Sequence, residues 1–390
     1  MMSPDYLYSE ICEQPDIVKF LVKRADIFDD ALRKLSDLQF GNVFFTGSGD
    51  SYCASLAASY ACREYLRIAS SGHEPMTLSR YSGGFFNGKS LLVAISVSGK
   101  TPRVIEAVKV ARSKGAFIVG ITDNPEGTLA SLADSVIFTH TSPTEALKSS
   151  SYAGGLSSQY TGYHHDVPQT KTYTANLAAL FTLMVRLAEE RGLLSGSESK
   201  KQLGWLTKSA DFIKDLIDHD PTEEIASKIV ESNNFFIAGS GPNRATAIYF
   251  SYKLGEFALL AFQNDLEEYC HTQYFITEDG DPLFLIAPKG PSLQRAAEII
   301  PVMSEAIKAR TILITNEKRE LGADHQICAP YEGPEVFSPL SFAIPLQLLT
   351  YNLAKRRGLD INRFRGGRGT GKYISGSFRT IRQSNIVTVE

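Results

Sequence analysis

The chain carries the same pattern twice. VFFTGSGDS (43–51) and FFIAGSGPN (235–243) are each an apolar run of β-forming residues that ends in GSG and gives way to a helical pattern. Three further runs pair in the same order: LLVAISVSG (91–99) with PLFLIAPKG (282–290), GAFIVGITDN (115–124) with ARTILITNEK (309–318), and SVIFTH (135–140) with HQICAP (325–330). The paired positions lie about 190 residues apart, far beyond the period of a solenoid. A constant offset across these elements predicts duplication of a whole domain. Within each copy, short apolar strands alternate with helical stretches, the βαβ pattern of a parallel sheet covered on both faces by helices. The expected fold is α/β: two tandem αβα three-layer sandwiches with parallel sheets, related by internal duplication.

The pattern divides the chain into an N-terminal helical region (1–38), a first sandwich (39–195), a helical linker (196–222), a second sandwich (223–365) and a tail (366–390). The first sandwich holds a long helix over roughly 171–192, and the linker carries the polar stretch GSESKKQ. The Gly, Arg and Ser of 366–384 predict a loop, followed by the strand-like IVTVE. Residues 139–166 are rich in Ser, Thr, Tyr and Gly and too many for an ordinary helix–strand connection, which implies a functional lid or a disordered excursion.

At 390 residues the chain has room for two cores. A net charge of −3 provides no basic field for nucleic acid. No apolar run reaches membrane-spanning length, so no membrane partner is expected. The start, MMSPDYLYSEICEQ, lacks the basic and apolar regions of a secretion signal. The five cysteines (12, 53, 62, 270, 328) form no CxxC pair. They suit reduced thiols in the cytoplasm, each expected as a small buried apolar residue. No His, Asp or Glu cluster has metal-ligand spacing, and His164-His165 lies in the 139–166 segment; no metal and no cofactor are expected.

An open parallel sheet binds ligands at the carboxyl ends of its strands, near the switch in strand order. FFTGSGDS and LLVAISVSGKT place their polar residues there. Helix N-termini present unpaired N–H groups and a positive dipole end, which suit phosphate. The hydroxyls of Ser96, Ser98 and Thr101 can surround one phosphate, with Ser51 on the neighbouring turn. SGKT also matches the end of a nucleotide P-loop, but the first glycine of that motif is replaced by Ala94. GSGDSY and GSGPNR lack the third glycine of a dinucleotide turn. On these residues alone, a phosphate cradle and a merely well-capped helix start both remain open.

Taken in order, the motifs resemble the sugar isomerase (SIS) domain family, specifically the tandem isomerase half of glucosamine-6-phosphate synthases. EICEQP (10–15) is similar to that half's opening EIxEQP. GSGDSY (47–52) resembles its first phosphosugar turn, SVSGKT (96–101) its SQSGET, and VPQTKTYT (167–174) its VASTKxxT. FSPLSFAIPLQLLTYNLAKRRGLDIN (337–362) resembles its last helix and turn, and VTVE (387–390) its end. The resemblance implies a sugar-phosphate ligand and a homodimer. It implies Ser96, Ser98 and Thr101 as phosphate ligands, with Asp50 and Ser51 on the first turn and Val167, Gln169 and Thr170 lining the sugar. It also implies a catalytic pair. Glu256, in YKLGEFALL (252–260), would carry a proton between C1 and C2, and His271, in EEYCHTQYF (267–275), would open the ring from the neighbouring subunit. The structural alternatives are an ion pair of Glu256 with Lys253 and an ordinary surface histidine.

Four departures shape the expected activity. No glutaminase region is expected ahead of residue 10. HTQ (271–273) stands where the family has HGP. Asn385 stands where it has a Schiff-base lysine, with Lys372 and Lys171 as candidate substitutes, and Val97 replaces a polar residue of the phosphate loop. Lys100 replaces a glutamate and is expected to face solvent. These features point to a phosphosugar isomerase or deaminase acting on a hexose 6-phosphate or a 2-amino-2-deoxyhexose 6-phosphate. The alternatives are a phosphosugar-binding regulatory protein without catalysis, a deglycase of an amine-linked sugar phosphate, and a nucleotide-binding protein using SGKT with Mg²⁺.

Overall fold

The computed structural model describes residues 5–141 and 168–386. The chain forms two compact units, each discontinuous in sequence. One joins residues 16–207 to 369–390, and the other joins residues 1–15 to 208–368.

Helices α1 (Tyr6–Lys23) and α2 (Asp29–Leu35) come first. The first sheet and its helices follow as β1 (Asn42–Thr46), α3 (Asp50–Leu66), β2 (Ala69–His73), β3 (Ser90–Ile95), α4 (Pro102–Ser113), β4 (Phe117–Thr122), α5 (Thr128–Leu132), β5 (Ser135–Phe138) and α6 (Lys171–Glu190). The five strands are all parallel, in the order β2-β1-β3-β4-β5. Helices α7 (Gly196–Asp218) and α8 (Glu223–Lys228) lead into the second sheet. Its elements are β6 (Asn234–Gly239), α9 (Asn243–Glu256), β7 (Leu260–Asn264), α10 (Leu266–His271), β8 (Pro282–Ile286), α11 (Pro291–Pro301), β9 (Arg310–Thr315), β10 (His325–Cys328) and α12 (Pro339–Arg356). Read from one edge, this sheet runs β7-β6-β8-β9-β10, again all parallel. The two orders are identical, so the internal repeat is a repeat of topology. In each sheet the strand order switches sides between the first and third strands of the copy, the crevice where ligands of such sheets bind.

The strands form because their apolar residues are covered on both faces. All six residues of β3 and all five of β8 are buried. Burying each large aliphatic or Phe side chain there contributes roughly 1.5–3 kcal/mol against exposure. Helix α6 is buried almost all round and packs along α3. A helix apolar on every face belongs inside a layer, not on its surface. In α4 the carboxylate of Glu106, only 1% exposed, accepts from Ser79 Oγ at 2.8 Å and Arg80 Nε at 2.9 Å, and from Arg103. That network fixes the helix that begins at the serine loop.

Two expectations need correction. The tail is not loop between 370 and 381: it forms helix α13 (Thr370–Ile381). Tyr373, Ile374, Phe378 and Ile381 recur at helical spacing, a period that the Gly and Ser content of the segment concealed. The cysteines are not uniformly buried. Cys53 and Cys62 are, Cys270 is half-buried, and Cys12 and Cys328 are exposed; all five are free thiols. The 139–166 excursion lies mostly outside the described residues, as does Val167.

Candidate phosphosugar site

The serine loop leaves β3 at Ile95 and is held by the end of β4. Ser96 N–H donates to the Ile121 carbonyl at 3.0 Å. The Val97 carbonyl accepts from Asp123 N–H at 3.1 Å and Thr122 Oγ1 at 3.2 Å. Asn124 Nδ2 donates to the Ser98 carbonyl at 3.0 Å. Val97 thus anchors the loop through its backbone. Gly99 has φ +63, and a Cβ there would lie 2.8 Å from Gly127 Cα, so the turn requires glycine. Pro102 then opens α4 with its φ already helical.

The hydroxyls of this loop bond to one another and to neighbouring groups. Thr101 is the N-cap of α4, yet its side chain makes no capping hydrogen bond. Instead Thr101 Oγ1 and Ser96 Oγ share a hydrogen bond of 2.9 Å. Ser98 Oγ accepts from Lys100 N–H at 3.3 Å and from Arg382 Nη1 at 3.0 Å. Ser96 is 3% and Ser98 9% exposed, whereas Lys100 is exposed. Hydroxyls that do not cap their helix, gathered where α4 presents its first N–H groups, suit a tetrahedral anion.

The neighbouring turn leaves β1, which pairs directly with β3. Gly47 is required there, since a Cβ on it would fall 2.5 Å from that of Ser51. Asp50 and Ser51 form the first turn of α3, half-buried and buried respectively. Gln169 is half-buried, and Thr170, 1% exposed, is the N-cap of α6. Both belong to the same compact unit as the serine loop. Of the candidate lysines, Lys171 is buried in the first turn of α6. Lys372 is exposed, its ammonium 5.8 Å from the Tyr373 ring centre. Arg382 escaped sequence reasoning. No spacing motif links it to Ser98, 284 residues away in the chain, and it lies just past the end of the tail helix.

The second copy has a different occupant at its corresponding turns. A Cβ on Gly290 would lie 2.9 Å from Glu335 Oε2, so that carboxylate sits against the loop after β8. Burial pushes the Glu335 carboxyl above its ordinary range.

The proposed catalytic residues belong to this second unit and are not hydrogen-bonded to each other. Lys253, 2% exposed in its side chain, holds Glu256 Oε1 at 2.7 Å, one turn along α9. Glu256 is the last residue of that helix and 22% exposed. His271 ends α10 and pairs through Nε2 with Glu267 Oε1 at 3.1 Å on its own helix. Its side chain is 66% exposed. The HTQ loop is tied to β7: Asn264 Nδ2 donates to Thr272 Oγ1 at 3.1 Å, and Gln273 Nε2 to the Gln263 carbonyl at 3.4 Å.

Comparison with known proteins agrees with this architecture. Residues 39–185 match the SIS domain family. The match falls on the first sandwich, whose strand order the second sandwich repeats. The chain is 30% identical over 372 residues to the glutamine–fructose-6-phosphate aminotransferase (isomerizing) of Pyrococcus horikoshii. That match takes in 92% of this chain and 56% of the relative, so the chain spans about half the length of that enzyme. The corresponding enzyme of Thermococcus kodakarensis is 27% identical over 365 residues, with the same shares covered. Among solved structures, the C-terminal domain of glucosamine-fructose-6-phosphate aminotransferase from Francisella tularensis superposes with a TM-score of 0.80 at 21% identity. The match covers 92% of this chain and 98% of that one. Tagatose-6-phosphate ketose/aldose isomerase from Escherichia coli gives 0.71 at 16% identity, covering 90% and 92%. At such identities the structures establish the fold.

Proposed function

We propose that the protein is a phosphosugar isomerase or deaminase acting on a hexose 6-phosphate or a 2-amino-2-deoxyhexose 6-phosphate. The observation that carries this reading is the pairing of Ser96 and Thr101 hydroxyls at 2.9 Å, with Thr101 withheld from capping α4. Ser96, Ser98 and Thr101 hold the phosphate. Asp50, Ser51, Gln169, Thr170 and Val167 line the sugar. His271 moves a proton between the ring oxygen and the anomeric hydroxyl, which opens the ring. Glu256 takes the proton from C2 and returns it to C1. For a hexose 6-phosphate this yields the ketose. For a 2-amino sugar it yields an imine at C2, which water hydrolyses to the ketose and ammonia. The exposure of His271 supports its acting on a second copy of the chain, and a two-fold dimer is the commonest assembly.

The test is incubation with glucosamine 6-phosphate while ammonia and fructose 6-phosphate are followed. Formation of both in equal amounts, lost in Glu256→Gln, is the expected result. Turnover of Glu256→Gln at the wild-type rate removes the role given to that carboxylate. A binding function without catalysis is supported by Asn385 and the HTQ loop; it predicts thermal stabilisation by sugar phosphates with no turnover.

A further inference from the structure

We propose that Arg382, just beyond the tail helix α13, is the cationic ligand of the phosphate. This inference rests on the phosphosugar reading of the serine loop. Arg382 lies in the same compact unit as that loop and donates from Nη1 to Ser98 Oγ at 3.0 Å. Its side chain is half-buried, and the guanidinium loses hydration there, which lowers its pKa from the ordinary value. Among the described residues no carboxylate forms an ion pair with it. A desolvated guanidinium whose hydrogen-bonded neighbour is a neutral hydroxyl lacks the counter-charge that such burial normally demands. An arginine also presents five N–H donors in a rigid fork that matches phosphate oxygens two at a time.

The serine loop has hydroxyls but no cation of its own directed inward, because Lys100 is exposed. Hydroxyls and helix N–H groups hold a phosphate monoester by dipoles alone, whereas Arg382 adds a full charge at Ser98. The hydrogen bond at 3.0 Å places that charge beside the same hydroxyl that would contact phosphate. A tail residue supplying the charge links two events that sequence treats as separate, capture of the phosphate and docking of α13.

The test compares wild type with Arg382→Gln and Arg382→Lys by calorimetric titration with glucosamine 6-phosphate, inorganic phosphate and glucosamine. Arg382→Gln is expected to weaken both phosphate-bearing ligands roughly 10- to 100-fold, the range for losing a charge-assisted contact, with Lys recovering part of it. Turnover at saturating substrate changes far less than KM. A charge contact also has a pH signature. Wild-type affinity rises through about pH 6 as a phosphate monoester loses its second proton, and Arg382→Gln flattens that rise. Hydrogen exchange in 370–386 slows on adding glucosamine 6-phosphate to wild type and not to Arg382→Gln. Binding of Arg382→Gln within twofold of wild type, with an unchanged pH dependence, overturns the assignment. If wild type binds neither phosphate-bearing ligand, the phosphosugar reading itself fails, an outcome distinct from the first.

Discussion

Lys253 and Glu256 form an ion pair at the C-terminal end of α9, with the ammonium almost fully enclosed and its nitrogen 2.7 Å from Glu256 Oε1. A carboxylate at a helix C-terminus faces the negative end of the dipole, and a cation one turn earlier offsets that. The lysine also stands 5.2 Å from the Tyr249 ring centre. The cation is the more enclosed member of the pair; the Glu256 side chain is 22% exposed, with its Oε2 buried.

Removing one partner therefore separates structure from catalysis. Glu256→Gln takes the carboxylate at 2.7 Å away from an enclosed ammonium and should cost up to about 3 kcal/mol. The double change Lys253→Met with Glu256→Gln removes the buried charge as well and should restore much of the denaturation midpoint. Neither variant should regain turnover, because general acid–base contributions run to about 10²–10⁴-fold. Recovery of both stability and activity in the double variant would make the pair purely structural.

The Ser96–Thr101 hydroxyl pair gives the second prediction. Thr101→Val keeps the shape of the side chain and removes one hydroxyl from the 2.9 Å contact. It should cost about 1 kcal/mol of stability and raise KM for a hexose 6-phosphate about tenfold. Thr101→Ser should bind nearly as wild type. Steady-state kinetics with both variants checks this; equal KM values for Thr101→Val and wild type would remove the hydroxyl from the site.

Glu335 predicts a pH effect on stability with a definite sign. Burial raises its folded-state pKa above the ordinary 4.5. Below that range the group is neutral in both states. As pH rises, the unfolded chain ionises first, so the folded state binds more protons and loses stability between 4.5 and the raised value. The loss persists at neutral pH. Glu335→Gln should therefore gain in urea midpoint relative to wild type between pH 4 and pH 7, and a pH-independent difference would contradict the burial account.

His271 predicts complementation. The side chain is exposed, so His271→Ala should change stability by less than about 0.5 kcal/mol. It should nonetheless abolish turnover of cyclic substrate. If each site takes Glu256 from one copy and His271 from the other, mixing inactive His271→Ala with inactive Glu256→Gln leaves one intact site in each mixed dimer. Equal mixing should recover about a quarter of wild-type activity, the statistical value for a two-fold dimer. No recovery after subunit exchange would place both residues in one copy's site.

Much of this architecture was legible in the sequence because its signals are local and repeated. The strand patterns ending in GSG, the offset between copies and Pro102 after the serine loop all report nearby backbone geometry. The Lys253–Glu256 pair was legible for the same reason, being one helical turn apart. What escaped depended on distant packing. Arg382 reaches Ser98 across 284 positions, and no periodicity encodes that contact. The tail helix was hidden because Gly371, Ser375, Gly376 and Ser377 interrupt its apolar period. Cys12 and Cys328 are exposed because thiols tolerate surface sites that typical burial preferences do not predict.

The most direct test of the central claim is deuterium exchange. Fructose 6-phosphate, glucose 6-phosphate and glucosamine 6-phosphate are each incubated with the protein in D₂O, and the C1 and C2 proton signals are followed by NMR. Proton transfer by Glu256 predicts loss of signal at C1 or C2 of at least one of them with wild type, and none with Glu256→Gln. Sugar phosphates that bind but keep every carbon-bound proton would contradict it.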